Sequence, residues 1–181
     1  MPADPDNLFE TLKSLQSSRR LPPVERWAPP REGRIDILIR RDGSWLHEGR
    51  PIARMALVRL FATVLRRDGD RYFLVTPQEK LAIEVEDAPF LAIDFVARGE
   101  RAGRVIGFRT NTDDVVFAGP EHAVWIEQDA RGPRPYVHVR GGLHALIARS
   151  VYYPLMDLAE EAAGRLWLRS GGARFDLGSA N

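Results

Sequence analysis

Two stretches of this chain resemble each other, and that constrains the fold more than any other feature. DGSWLHEGRPIARMALVRLF occupies residues 42–61, and PRPYVHVRGGLHALIARSVYY occupies residues 133–153. Setting His47 on His138 (138 − 47 = 91) pairs Trp45 with Tyr136, Leu46 with Val137, Ile52 with Leu143, Met55 with Leu146, Leu60 with Val151 and Val64 with Leu155. A second block, residues 71–85 against 165–179, aligns at 165 − 71 = 94 and pairs Phe73 with Trp167, Leu74 with Leu168, Lys80 with Arg174 and Ile83 with Leu177. The stretches before the first block, residues 35–39 and 124–127, are echoed as well. Three ordered blocks point to an internal duplication, in which each copy forms the same supersecondary unit. The unit reads as strand, turn, strand, helix and hairpin.

Taken in order, Leu8, Leu12 and Leu15 have helical spacing with Phe9 alongside, which predicts a short amphipathic helix over residues 6–18. The segment LPPVERWAPPREG that follows places four prolines between Pro22 and Pro30. Such a run favours extended polyproline geometry and cannot enter a sheet interior. It is expected to lie across a domain as an arm pinned by a largely buried Trp27. Ile35, Ile37 and Ile39 alternate with Asp36, the pattern of a half-buried strand over residues 34–40. Asp42-Gly43 is a tight-turn signal, and residues 44–48 form the returning strand. Pro51 suits a first helical turn, so a helix is expected over residues 51–67, with Leu57, Leu60, Phe61 and Val64 as its core stripe. Strands follow at 71–75, 81–85, 91–96, 105–109 and 115–117. The second helix is expected near residues 143–163, kinked or broken at Pro154, before a hairpin of 166–169 and 174–177. The fold class is therefore α+β, with mainly antiparallel sheets. The expected organisation is an arm at 1–33, a first repeat at 34–88 and a second at 89–181 that carries extra strands.

Composition narrows the function classes. There is no cysteine, which removes disulfides, thiolate metal sites and thiol nucleophiles. No apolar run is long enough to span a bilayer, and the first residues, MPADPDNLFETL, have no hydrophobic signal core, so a cytoplasmic location is expected. The 26 basic and 25 acidic residues nearly cancel, which argues against duplex nucleic acid as a partner. Lys13 and Lys80 are the only lysines. The cationic side is thus arginine, which suits bidentate contacts to carboxylate or phosphate.

The chemistry-bearing residues form no familiar catalytic pattern. His47, His122, His138 and His144 show neither HxH nor HExxH spacing, and no metal site is expected. Residues 169–173 lie between strands rather than before a helix, so they are no phosphate loop, and no GxSxG elbow is present. Glycines and arginines do meet at both expected helix starts. Gly49-Arg50-Pro51 with Arg54 marks one, Arg140-Gly141-Gly142 the other. Free N–H groups at a helix start favour anions. Two such corners are expected, with Lys80 able to join one, and Glu48 opposes the charge of the first.

The motifs DGSWLHEGRPI, LVTPQEK and VEDAPF, following a PP…G.IDILI start, resemble a bacterial family known as domain of unknown function 1285. The resemblance covers nearly the whole chain. It implies a duplicated α+β core, a C-terminal half loosely similar to a pleckstrin-homology fold, a ligand site between the halves and a part in signalling. It assigns no catalytic residue and no cofactor. The expectation is a protein that binds a small anionic or nucleotide-like ligand, or a signalling partner, without membrane insertion. The candidate binding residues are His47, Arg50, Arg54, Lys80, Glu86, Asp87 and Arg140. The rival reading is a hydrolase or transferase built on clustered carboxylates and a histidine, and a third is a scaffold without ligand. Convergence of His47, Lys80, Glu86 and Asp87 on one cleft would separate them.

Overall fold

The computed structural model describes residues 21–180, so the helix expected over 6–18 lies outside the described residues. Fifteen strands and two α-helices follow a short 3-10 turn at Val24–Arg26. The first half runs β1 (Arg31–Ile39), β2 (Trp45–His47), β3 (Arg50–Pro51), α1 (Met55–Thr63), β4 (Leu65–Asp68), β5 (Arg71–Val75) and β6 (Glu79–Val85). Three strands come next: β7 (Phe90–Arg98), β8 (Val105–Thr110) and β9 (Val115–Phe117). The second half then repeats the first: β10 (Val124–Asp129), β11 (Gly132–Arg140), β12 (Leu143–Ile147), α2 (Arg149–Met156), β13 (Glu160–Ala162), β14 (Arg165–Ser170) and β15 (Ala173–Ser179). Among the described residues no helix is long and apolar enough to cross a membrane.

Each half is a three-stranded meander, a helix and a second meander. In the first half the two meanders join into one sheet of order β3-β2-β1-β6-β5-β4, with β1 and β6 parallel and the other pairs antiparallel. In the second half β10 again lies beside β15, but β13-β14-β15 form a separate three-stranded sheet. The edge that β3 leaves open is filled there, because β7 pairs in parallel with β12 and gives the order β10-β11-β12-β7-β8-β9. Two similar sheet-and-helix halves with few helices are consistent with internal duplication of an α+β unit. One continuous core unites them, from Ile37, Ile39, Trp45 and Val58 through Phe90 and Phe108 to Val151, Leu155 and Leu168. Side chains of this size each contribute about 1.5–3 kcal/mol when fully buried.

The helices are shorter than the sequence pattern suggests, and both differences have one cause. Glu48 and Gly49 both have positive φ, 50° and 72°, and so do Gly141 and Gly142, 51° and 74°. A pair of left-handed residues makes the two-residue hairpin turn whose twist matches that of strands. The chain therefore folds back after each corner instead of entering a helix. Arg50 and Pro51 pair with β2, Leu143 begins β12, and the helices start only at Met55 and Arg149. Residues 65–67 and 160–162, expected as helix, belong to the strands β4 and β13. Pro154 lies inside α2, which ends two residues later at Met156.

These turns also reset the register of the repeat. The corners align at 141 − 48 = 93, and so do the buried helix positions Val58 with Val151 and Ala62 with Leu155. His47 thus corresponds to Arg140 rather than to His138. The later block keeps its offset of 94, with Leu74 and Leu168 buried in the same core, as are Ile83 and Leu177. The buried face of α1 is set by Val58 and Ala62, whereas Leu57 and Phe61 are half-buried and Leu60 is 60% exposed.

The proline-rich arm is ordered and docked. Trp27 is half-buried rather than fully enclosed, and packs on Phe73, Val75 and Ala82. Arg66 holds the arm in place by donating to the carbonyls of Val24 at 3.0 Å and Trp27 at 2.9 Å.

Candidate functional site

The segment between the halves carries the most elaborate polar cluster. Glu86 and Asp87 leave β6, and Glu86 Oε2 accepts the backbone N–H of Arg41 at 2.9 Å. The Asp87 side chain is 2% exposed. Its Oδ1 accepts the Tyr136 hydroxyl at 2.7 Å and the Arg134 guanidinium. Its Oδ2 is buried without a hydrogen-bond donor and faces Arg41 Nε at 3.3 Å. Arg134 bridges onward to Asp129 Oδ2 at 3.2 Å and lies over the Tyr136 ring. Burial, then the bond to Asp87, pushes the Tyr136 hydroxyl pKa up, so it stays a donor. Burial works against the Arg134 charge, but the Asp87 carboxylate outweighs it and raises its pKa. The Arg131 backbone N–H at 2.7 Å, reinforced by Arg134, holds Asp129 below its ordinary value.

This cluster forms one wall of a pocket of about 450 Å³, within the roughly 300–1,000 Å³ of small-molecule sites. Arg41 comes from the turn after β1, Arg131 and Arg134 from the β10–β11 hairpin, and Arg149 from the start of α2. Four guanidinium groups thus face two carboxylates, Asp87 and Asp129. Arg131 and Arg149 make no ion pair among the described residues. Ala148 precedes α2 without a side-chain cap; its carbonyl accepts the Val151 and Tyr152 N–H groups at 2.9 and 2.8 Å, which leaves the Arg149 and Ser150 N–H groups uncapped by any side chain. Tyr152, Tyr153, Leu146 and Pro135 supply the apolar remainder. Burial raises the Tyr152 pKa.

The residues singled out from the sequence do not gather in one place. Asp87 lines this pocket, and Glu86 braces Arg41 beside it. His47 and Arg50 line a different groove, against Ile35, Ile52 and Phe61. Arg54 is exposed at the start of α1. Lys80 is committed elsewhere, to Asp68 at 3.0 Å and Glu32 at 3.3 Å, and sits over the Phe73 ring. Arg140 is a structural tie: it donates to Asp114 Oδ1 at 2.6 Å and to the Ala62 carbonyl at 2.7 Å, and covers the Phe90 ring. Its corner faces the arm, since a Cβ on Gly141 would lie 2.6 Å from Glu25 Oε1. Among the described residues no three of His, Asp and Glu gather into a metal cluster. Sequence reasoning missed Arg41, Arg131, Arg134, Arg149 and Tyr136. The arginine-and-proline run 131–135 was the one local signal, and it reads as an ordinary loop.

His144 connects this cluster to pH. It packs against Trp125 and Tyr136, and burial, then the Arg67 charge, lowers its pKa below 6.5. The folded state keeps the ring neutral where the unfolded chain already takes up a proton. Its stabilisation is complete above about pH 6.5, shrinks as pH falls below that value, and levels off past the folded-state pKa. Melting temperature measured against pH should fall less steeply below about pH 6.5 in His144→Gln than in wild type. An unchanged slope would place the effect on other groups.

Comparison with known proteins supplies the family. No curated protein matches the sequence. The model of the domain of unknown function DUF1285, N-terminal domain, matches residues 22–88, and that of the DUF1285 C-terminal domain matches residues 89–177. A crystal structure of a DUF1285 family protein from Silicibacter pomeroyi DSS-3 is 43% identical, with a TM-score of 0.86 over 96% of this chain and 95% of that one. A DUF1285 family protein from Shewanella baltica OS155 is 27% identical, with a TM-score of 0.54 over 67% of this chain and 90% of its own. By its sequence along both halves and by its fold, the chain belongs to the DUF1285 family.

Proposed function

We propose that the chain is a binding module, not an enzyme, whose pocket between the two halves takes a small anionic or nucleotide-like ligand. The observation that carries this reading is the pair Arg131 and Arg149, two guanidinium groups without ion-pair partners among the described residues, at the mouth of a pocket whose other arginines are held by Asp87 and Asp129. A phosphate or carboxylate group pairs with them, favoured by the positive end of the α2 dipole at Arg149. The planar or apolar remainder lies against Tyr152 and Leu146.

A signalling role belongs to the same reading, because a module that binds a ligand without transforming it acts by changing what else it binds. The pleckstrin-homology-like form inferred for the C-terminal half fits this role, and superposition on such a domain is its test. The hydrolase or transferase alternative needs a histidine beside the carboxylates, and none is among the residues lining this pocket.

A thermal-shift screen of nucleotides and sugar phosphates tests the proposal. A ligand specific to the native state at 100 times its Kd adds about 2.7 kcal/mol, a rise of several degrees for a chain of this size. The shift should shrink with salt and vanish in Arg131→Ala with Arg149→Ala, while Arg50→Ala leaves it intact. Absence of any shift at millimolar anion, or a shift that survives the double variant, overturns it.

A further inference from the structure

The half-buried stripe on α1 is not required by the repeat. At the offset of 93, Leu57 and Leu60 correspond to Ser150 and Tyr153, so the second copy folds without aliphatic residues at those places. In the first copy Leu57 and Phe61 instead line a groove of about 480 Å³ with Ile35, Ile37 and Ile52. Leu60, 60% exposed and three residues beyond Leu57 on the same helix, adds apolar surface next to it. The groove lies along the open edge of its sheet, where β12 of the other copy is covered by β7.

A peptide strand is a poor occupant of that edge. The Ile52 N–H is turned inward to the Trp45 carbonyl at 2.8 Å, so by alternation Pro51 presents its nitrogen outward, where it has no hydrogen to donate. The rim carries a guanidinium: Arg50 lines it beside His47, and neither makes an ion pair or side-chain hydrogen bond among the described residues. Glu48 is the one acid at this rim.

We propose that this groove binds a free long-chain fatty acid, with the carboxylate on Arg50 and the hydrocarbon along Ile35, Ile52, Leu57 and Phe61. A guanidinium pairs bidentately with a carboxylate. Beyond His47, Glu48 and Arg50 the lining is apolar and, apart from Phe61, aliphatic, which separates this site from the arginine pocket between the halves.

The test is displacement of a fluorescent fatty acid from the full-length protein at submicellar concentrations. Palmitate competes, and each methylene added across a series of shorter carboxylates improves affinity roughly three- to fourfold. The fatty alcohol of the same chain length competes at least tenfold more weakly. Arg50→Glu, an exposed change that leaves the core intact, abolishes the preference for carboxylate over alcohol. Arg131→Ala with Arg149→Ala leaves palmitate binding unchanged, so failure here and failure of the pocket proposal are distinguishable. The proposal is overturned if palmitate does not displace the probe, if the alcohol binds as well, if Arg50→Glu keeps the preference, or if the protein binds only anionic lipid vesicles and not the free acid.

Discussion

Replacing Arg140 by alanine is expected to destabilise the protein by about 3–5 kcal/mol, the range for breaking a buried ion pair on one side, and to lower the melting temperature by roughly 10 °C. Asp114 is 5% exposed and its Oδ1 accepts the Arg140 guanidinium at 2.6 Å. Thr112 donates to Oδ2 at 2.8 Å and continues to do so in the variant, whereas Oδ1 loses its cation. The same substitution removes the donor that closes the last turn of α1 at the Ala62 carbonyl and the cation that covers Phe90. The double variant Arg140→Met with Asp114→Leu should recover most of the loss, because paired charges exchanged for apolar groups are often neutral. Denaturant unfolding of the three proteins checks this. A single variant within about 1 kcal/mol of wild type would mean that the guanidinium is not the tie described.

The second large effect is expected at Asp87. Asp87→Ala removes the acceptor shared by Tyr136 and Arg134 and the counter-charge of Arg41. Arg41 is 41% exposed and regains water, and Arg134 keeps Asp129. The cost therefore falls at the lower end of the buried-pair range, about 3 kcal/mol. Tyr136→Phe alone should cost about 1.5–3 kcal/mol, the range for a hydrogen bond to a charged group. In a double-mutant cycle the two losses should overlap by about 1 kcal/mol or more, since each removes one side of the same bond. Strict additivity would show that the hydroxyl and the carboxylate do not act on each other.

How far the sequence reached is visible at particular residues. Alternation at Ile35, Ile37 and Ile39 identified β1, and the strands 71–75, 105–109 and 115–117 fall on β5, β8 and β9. The duplication was readable because both copies keep the same order of apolar runs and turn residues. Asp87 was named from its motif, and it lies in the pocket wall. The helix starts were misread because Gly49 and Gly141-Gly142 serve equally as a helix boundary and as a two-residue hairpin turn. Only pairing with a strand ahead of the corner decides between them. Lys80 and Arg140 look free in the sequence and are spent on Asp68, Glu32 and Asp114 in the fold.

The sequence by itself therefore determined what depends on neighbours along the chain: the α+β class, the repeat, most strand positions and the family. The tertiary structure decided what depends on meetings across it. Arg134 reaches Asp87 over 47 positions and Arg140 reaches Ala62 over 78. Whether an arginine becomes a strut or a ligand contact is settled by which carboxylate or carbonyl the sheets bring within about 3 Å. Periodicity and turn chemistry hold no record of that distance.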